Sequence, residues 1–264
     1  MRPARTPIQA TEALTSLPSS TQRPGFGLSL PFRVRLVRTE DQLAQAVSIR
    51  QIAYQRHLPG LAQELLRPER EDYEPGSVVL LAESKIDGSP LGTLRVQTNL
   101  FRSTEFEQFL PLPPQYQGQA LAHIARLGIA AGRSTSLVKL ALFKAMHRFC
   151  LANQIAYLLV VGAPPRDRWY HQLTFEDIFE VGQMFILPSS HGIPGRMMSF
   201  EVATAERRWR EAGHPLYDFM FVQYTPDIDV FSSLSGAWVQ PREDEGLFAH
   251  QNEESYLDLG ILAV

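Results

Sequence analysis

Two side chains between residues 120 and 175 can move protons, and the groups around them can hold anions. His123 carries an imidazole that is neutral, and so a competent base, near neutral pH. Tyr170 offers a phenol proton to a group on which negative charge is developing. Arg126 follows His123 by three positions, with Arg50 and Arg95 upstream; guanidinium forks pair in bidentate fashion with carboxylates. Beyond Gly132 come Ser134, Thr135 and Ser136, any of which can cap a helix whose first N–H groups then face a phosphate. Each residue has a plain alternative. His123 can be a core histidine bonded to a backbone carbonyl, Tyr170 a core or rim tyrosine, and the arginines ordinary surface or strand-edge charges.

Other chemistries lack their residues. The seven histidines show no His-x-x-x-His spacing, and a single cysteine permits no Cys-x-x-Cys pair, so no metal site is expected. There is no Gly-x-Ser-x-Gly elbow and no Walker loop. Cys150, within a helical pattern, is expected to serve packing rather than nucleophilic attack.

The elements that must position these groups follow from the pattern. Residues 121–129 alternate as a strand, with Leu121, Ile124 and Arg126 set against His123, Ala125 and Leu127. A turn through Gly132 leads into an amphipathic helix of about five turns. The continuous apolar run Ile155–Val161 predicts a buried parallel or central strand, and a short helix carries Trp169, Tyr170 and Leu173. If the two strands splay apart, the gap can receive an extended thioester arm. Upstream, 32–37 predicts a strand, 41–57 a helix, and 77–83 and 91–98 two strands of a hairpin turning at Asp87-Gly88. Residues 58–76 and 99–118 read as loops; strand character is expected over 178–187, a strand near 197–202 and a helix over 203–211. This order predicts an α/β (α+β) fold, a mixed sheet with helices on both faces.

Composition sets the bounds. The chain has 264 residues, 44% hydrophobic, enough for one substantial core. No apolar run reaches the roughly 18 residues of a membrane span, and residues 1–31 read as a loose tail without an apolar signal segment. A cytoplasmic location is expected. The net charge of -3 is uneven: residues 226–264 hold four Asp, four Glu and one Arg, an acidic extension beyond a nearly neutral body. Such a body argues against nucleic-acid binding, which needs a dense basic stripe. Apolar residues within the extension leave room for docking on the body or on a second copy, so a homo-oligomer stays open.

Four short motifs occur in order: Arg50-x-x-x-Tyr54, Glu71-Asp72-Tyr73-Glu74, Gly92-Thr93-Leu94-Arg95 and His123-Ile124-Ala125-Arg126. With the WYHQLTF segment ending at Phe175, they resemble the GNAT acyltransferase superfamily. Within it the chain is similar to the N-acyl amino acid synthases of the FeeM type and to the acyl-homoserine-lactone (autoinducer) synthases. The resemblance covers roughly residues 33–225, framed by the tail 1–31 and the extension 226–264. It implies a mostly antiparallel sheet splayed between strands 4 and 5. It also implies an acyl thioester donor on acyl carrier protein (ACP) or coenzyme A, an amino acid as acceptor, and no bound cofactor. It assigns catalysis to His123, Tyr170 and Arg126, and substrate binding to Arg50, Tyr54, Asp72, Arg95, Leu127 and Ile129. Gly132, Arg133, Ser134, Thr135 and Lys139 would meet the phosphopantetheine arm or its carrier. In similar sequences the arginines pair with the acidic loop, which makes Asp72 and Glu74 the expected partners. Lys144, Arg148, Arg166 and Arg168 extend the basic face offered to an acidic carrier, or form a solvated helix face.

Two departures from the family pattern stand out. His123 fills a position where similar strands carry Glu, and AAGRSTS has a lone glycine where the pyrophosphate loop has several. A thinner cradle favours the single phosphodiester of a carrier-bound arm over a nucleotide pyrophosphate. The alternatives to an N-acyl amino acid synthase are an acyl-homoserine-lactone synthase and a non-catalytic acyl-thioester or partner-binding module.

Overall fold

In the computed structural model the residues described are 27–56, 58–132 and 135–231. Strand β1 (Phe32–Leu36) leads to helix α1 (Glu40–Gln55), whose first turn is fixed by Thr39 accepting from the Gln42 N–H at 3.3 Å. Short helix α2 (Pro59–Glu64) and the hairpin β2 (Ser77–Ser84) and β3 (Pro90–Thr98) follow. Helix α3 (Glu105–Phe109), strand β4 (Leu121–Ile129), helix α4 (Thr135–Ala152) and strand β5 (Tyr157–Gly162) come next. The chain continues with α5 (Asp167–Gln172), β6 (Glu176–Asp177), β7 (Arg196–Glu201), α6 (Ala205–Glu211), a single π-turn at Asp218–Val222 and β8 (Ile228–Asp229).

These strands form one sheet in the order β6-β7-β5-β4-β3-β2-β1-β8. Pairing is antiparallel except for β4 with β5 and β1 with β8. Period-2 alternation gives the sheet two apolar faces. Leu80, Leu94, Ile124, Val160 and Phe200 pack toward α4, whereas Val79 and Leu81 pack against Leu43 and Ala46 of α1. Helices therefore cover both faces. Leu121 and Ile124, expected on one face, lie on opposite faces: Leu121 joins Phe106 and Leu159, Ile124 the α4 side.

The parallel pair is short. Leu121 to Ile124 pair with Tyr157 to Val160, and there the ladder ends, although β4 runs on to Ile129 and β5 to Gly162. The expected splay is present. On its other edge β4 carries a bulge: Arg95 pairs with Ala125 but Thr93 with Gly128, and Arg126 sits at φ 55°. An extra residue on one strand bends it and sharpens its twist. Here the bend comes just where β4 leaves β5.

The irregular segments differ from the sequence reading. Both expected loops contain helix. In 99–118 the Thr104–Glu107 capping box nucleates α3, with Glu107 accepting from the Thr104 N–H at 2.7 Å and Phe106 fully buried. In 58–76, α2 and a 3-10 turn at Arg70–Asp72 stand where a loop was expected. Conversely, 178–187 is not a strand. β6 ends at Asp177, and beyond it only an isolated bridge between Phe185 and Gly195 forms, with Gly182 turning the chain at φ 84°. At the margins, Leu30 is buried and the Leu28 N–H reaches the Tyr224 carbonyl at 2.7 Å, while β8 extends the sheet beside β1.

Candidate active site

The side of β3 and β4 facing α1 carries a buried ionic cluster. Arg50 Nη1 donates to Asp72 Oδ2 at 2.7 Å, and Arg95 Nη1 donates to Asp72 Oδ1 at 3.2 Å and Glu69 Oε2 at 3.0 Å. Arg126 grips Glu69 with both arms, Nε to Oε2 at 2.7 Å and Nη2 to Oε1 at 2.6 Å. Asp72 also accepts from the Glu69 N–H at 2.9 Å, capping the 3-10 turn that presents both acids. Asp72, Arg50 and Arg95 are at most 1% exposed. Burial pushes both carboxyl pKa values up, but the Arg126 bonds to Glu69 and the Arg50 bond to Asp72, with the other arginine charges, hold both below the usual range. Arg126 is shifted upward despite its burial, because Glu69 binds the charged form.

The expected partner Glu74 is not in this cluster; it pairs with Arg102 at 2.6 Å and Arg70 at 3.5 Å on the surface. Glu69 takes its place. The sequence held one signal for it, a Glu-x-x-Asp pair able to cap a turn reciprocally.

Where β4 and β5 part, a cavity of about 150 Å³ opens. His123, Arg126, Leu127, Tyr54 and Tyr170 all line it, from three different elements. His123 is 4% exposed and edge-on to the Phe106 ring, with centroids 4.7 Å apart. Its Nδ1 is buried without a hydrogen-bond partner, so the carbonyl-bonded core histidine is not what forms at that nitrogen. Burial, then the Arg95 and Arg126 charges, lower its pKa to about 3. Tyr170 packs against Phe175 and Trp169, and burial raises its pKa, so the phenol keeps its proton. A second, polar cavity of about 580 Å³ adjoins the first, sharing Arg126 and Ser189 with it, and is lined by Arg95, Gln97, Arg102, Glu71 and Glu105 among others.

Several expected site residues lie elsewhere. Arg50 and Asp72 stand behind the cavities as supports. Ile129 pairs with Gly92, away from the opening. Gly132 and Thr135 mark the start of α4, where Thr135 Oγ1 donates to the Gly132 carbonyl at 2.7 Å; Arg133 and Ser134 fall outside the described residues. The Lys139 ammonium lies 4.2 Å from the Trp169 ring centroid rather than at the helix start.

Lys144 does not belong to a carrier-facing basic surface. It is 1% exposed, and its ammonium donates to the Phe219 and Gln223 carbonyls at 2.5 and 2.6 Å, capping the C-terminal end of the π-turn. Arg148 beside it reaches the Ile228 carbonyl at 3.4 Å. Helix α4 is buried over most of its circumference, which turns its cations to intramolecular use. Cys150 is fully buried, and burial raises its thiol pKa, in keeping with packing. Among the described residues no group of three or more His, Cys, Asp or Glu is placed to hold a metal, and no helix is long and apolar enough to cross a membrane.

No protein-family model matches this sequence, and no curated protein is similar enough to match it. Solved structures do match by shape. FeeM, an N-acyl amino acid synthase from uncultured soil microbes, aligns at a TM-score of 0.53 and 14% identity over 69% of this chain and 96% of that one. BjaI, a CoA-dependent acyl-homoserine lactone synthase solved with SAM and isopentyl-CoA, aligns at a TM-score of 0.51 and 16% identity over 70% and 90%. With the sheet order, the parting of β4 from β5 and helices on both faces, these likenesses identify the architecture of this chain as the GNAT acyltransferase fold.

Proposed function

We propose that this chain is an N-acyltransferase that moves an acyl group from a pantetheine thioester, on ACP or coenzyme A, to the amino group of an amino acid. The observation that carries the reading is the cavity between the parted strands, with His123, Arg126 and Tyr170 on its wall and a polar cavity meeting it at Arg126. The thioester arm enters the gap, where unpaired backbone of β4 and β5 can bond it, and Leu127 flanks it. The acceptor occupies the polar cavity. Its nitrogen attacks the thioester carbonyl carbon, the carbon–sulfur bond breaks, and Tyr170 gives its phenol proton to the departing thiolate and is reprotonated by the proton that the nitrogen sheds as the amide forms. The ammonium proton of the acceptor must leave before attack. An imidazole with a pKa near 3 takes it only uphill, so His123 needs a bound anion beside Arg95 and Arg126 to gain basicity. An amino acid's carboxylate provides one. The likeness in shape to FeeM and BjaI supports acyl transfer to an amine-bearing acceptor.

The test incubates purified protein with octanoyl-ACP or octanoyl-CoA and a mixture of amino acids, following free thiol and N-acyl products by mass spectrometry. Thiol release with an N-acyl amino acid, lost in His123→Ala and Tyr170→Phe, is the expected result. Consumption of S-adenosylmethionine with lactone formation would identify an acyl-homoserine-lactone synthase instead. Thioester binding with no product would leave a binding module.

A further inference from the structure

One face of the β2–β3 hairpin floors the polar cavity. Ser77 pairs with Gln97 and Val79 with Arg95, and alternate residues share a face, so Ser77, Gln97 and Arg95 stand side by side there. Two of them carry buried polar atoms that the fold leaves unpaired. Ser77 is 3% and Arg95 1% exposed, yet the Ser77 hydroxyl oxygen and Arg95 Nε have no hydrogen-bond partner. Native interiors hold few such groups, and each one asks for a partner. The charges on the walls do not balance either. Arg95 and Arg126 are engaged by Glu69, and Arg102 by Glu74 at 2.6 Å. His191 on the rim turns to Glu64, with Nδ1 and Oε2 2.8 Å apart. Glu71 and Glu105 remain. Glu105 accepts from neutral donors, the Ser189 N–H at 2.6 Å and the Ser189 hydroxyl. Glu71 is in no ion pair among the described residues, although it lies near enough to Arg126 for its charge to raise that residue's pKa. The lining thus sets four carboxylates, Glu69, Glu71, Glu74 and Glu105, against three guanidinium groups.

A carboxylate on a pocket wall without a cation favours an arriving ammonium or guanidinium, whose N–H groups form charge-assisted hydrogen bonds to it. The acceptor's own α-ammonium group does not meet that need, since it must shed its proton to attack. We propose that the acceptor is a basic α-amino acid, with its carboxylate against Arg95 and Arg126 and its side-chain cation held by Glu71 and Glu105. This rests on the acceptor reading given above, and narrows it from amino acids in general to those whose side chain ends in an ammonium or a guanidinium. A cavity of about 580 Å³ is large enough to take such a side chain entire, within the range of about 300–1,000 Å³ common to small-ligand sites. Ser77 and Gln97 on the floor offer a hydroxyl and an amide to the same guest. Because Glu71 and Glu105 offset the side-chain cation, the acceptor's carboxylate is left to offset the two arginines beside His123.

The test measures dissociation constants by calorimetry at pH 7 for L-lysine, L-norleucine and L-glutamate on the full chain, with and without free coenzyme A. Norleucine has the carbon chain of lysine without its ammonium. Lysine should bind roughly tenfold more tightly than norleucine, and glutamate more weakly than either. In Glu71→Gln the ratio of the lysine and norleucine constants should shrink toward one, and in Glu71→Lys glutamate should overtake lysine. If Glu71 merely shapes the wall, its replacement weakens lysine and norleucine alike; a ratio that stays at its wild-type value therefore overturns the assignment. So does norleucine binding as tightly as lysine in the wild type, which leaves the acceptor reading standing. If none of the three amino acids binds, with or without coenzyme A, the acceptor reading itself fails and the charge preference falls with it.

Discussion

Replacing Asp72 by Asn changes almost nothing in shape and removes one charge from a place where it has no substitute. The carboxylate is 0% exposed and lies between Arg50 at 2.7 Å and Arg95 at 3.2 Å, while also capping the Glu69 N–H. In the native cluster three guanidinium groups meet two carboxylates. In Asp72→Asn they meet one, and the Nε atoms of Arg50 and Arg95, already without acceptors, gain none. Removing one partner of a buried ion pair costs about 3–5 kcal/mol. For a domain of this size that lowers the melting temperature by roughly 10 °C. Urea unfolding at pH 7 measures the loss directly. The Asp72 pKa is depressed in the fold, so the ionised carboxylate stabilises above its unfolded value and that stability is lost as pH falls through the folded one. The gap between wild type and variant should therefore narrow in acid below pH 3.8. Arg50→Met combined with Asp72→Asn should recover part of the loss, since it removes one of the stranded cations. A loss under about 1 kcal/mol, the range of an exposed pair, would refute this account of the cluster.

Two further outcomes follow from the same geometry. Glu69→Gln weakens the grip on Arg126 at the bulge; with a thioester and an amine acceptor it should lower kcat by roughly a hundredfold through misplacement, at nearly constant donor affinity, and an unchanged kcat would exclude a positioning role. His123 and His147, held by burial at about 3 and about 4, stay neutral where the unfolded chain takes up protons below 6.5. Stability should then rise with pH between about 4 and 6.5, each histidine adding roughly 1.4 kcal/mol per pH unit within its window. His123→Gln should remove about half of that slope, as urea midpoints across pH 4.5–6.5 will read; an unchanged slope would mean that the imidazole is solvated.

How far the sequence announced this arrangement depended on how local the cause was. The parallel pairing of β4 with β5 could be anticipated because a continuous apolar run and an alternating one, with a helix between them, specify such a pair, whereas their parting was implied only by the resemblance to GNAT acyltransferases. The bulge could not, since Arg126 adopts its positive φ without a glycine to mark it. Helices α2 and α3 are too short for periodicity to show, though the Thr104–Glu107 box was visible residue by residue. Glu69 lies in a run where nearly every residue is charged, and only the arginines of α1, β3 and β4 determine that it turns inward while Glu71 does not. Lys144 presents the same problem in reverse. Its two carbonyl acceptors lie more than seventy positions away, at the end of a turn that no local pattern foretells.

The presence of an imidazole at position 123 links these observations to the acceptor proposed above. A carboxylate at that point of β4 would balance the cluster; an imidazole leaves three guanidinium groups against Glu69 and Asp72, one positive charge in excess within it, beside a first cavity whose lining holds no acid. Burial first, and that excess second, hold the imidazole neutral in the empty site, and the excess favours whatever negative charge arrives, be it the oxygen of a thioester under attack or the carboxylate of the acceptor. In the proposed reaction an acceptor bearing a carboxylate offsets the Arg95 and Arg126 charges and so raises the basicity of His123 as it binds, against the burial that remains. A purely cationic acceptor such as a sulfonium adds to the same field and depresses the imidazole further. On the function proposed above, the charge of the acceptor and the strength of the base are therefore one variable, and the histidine is of use only with a partner that brings its own anion.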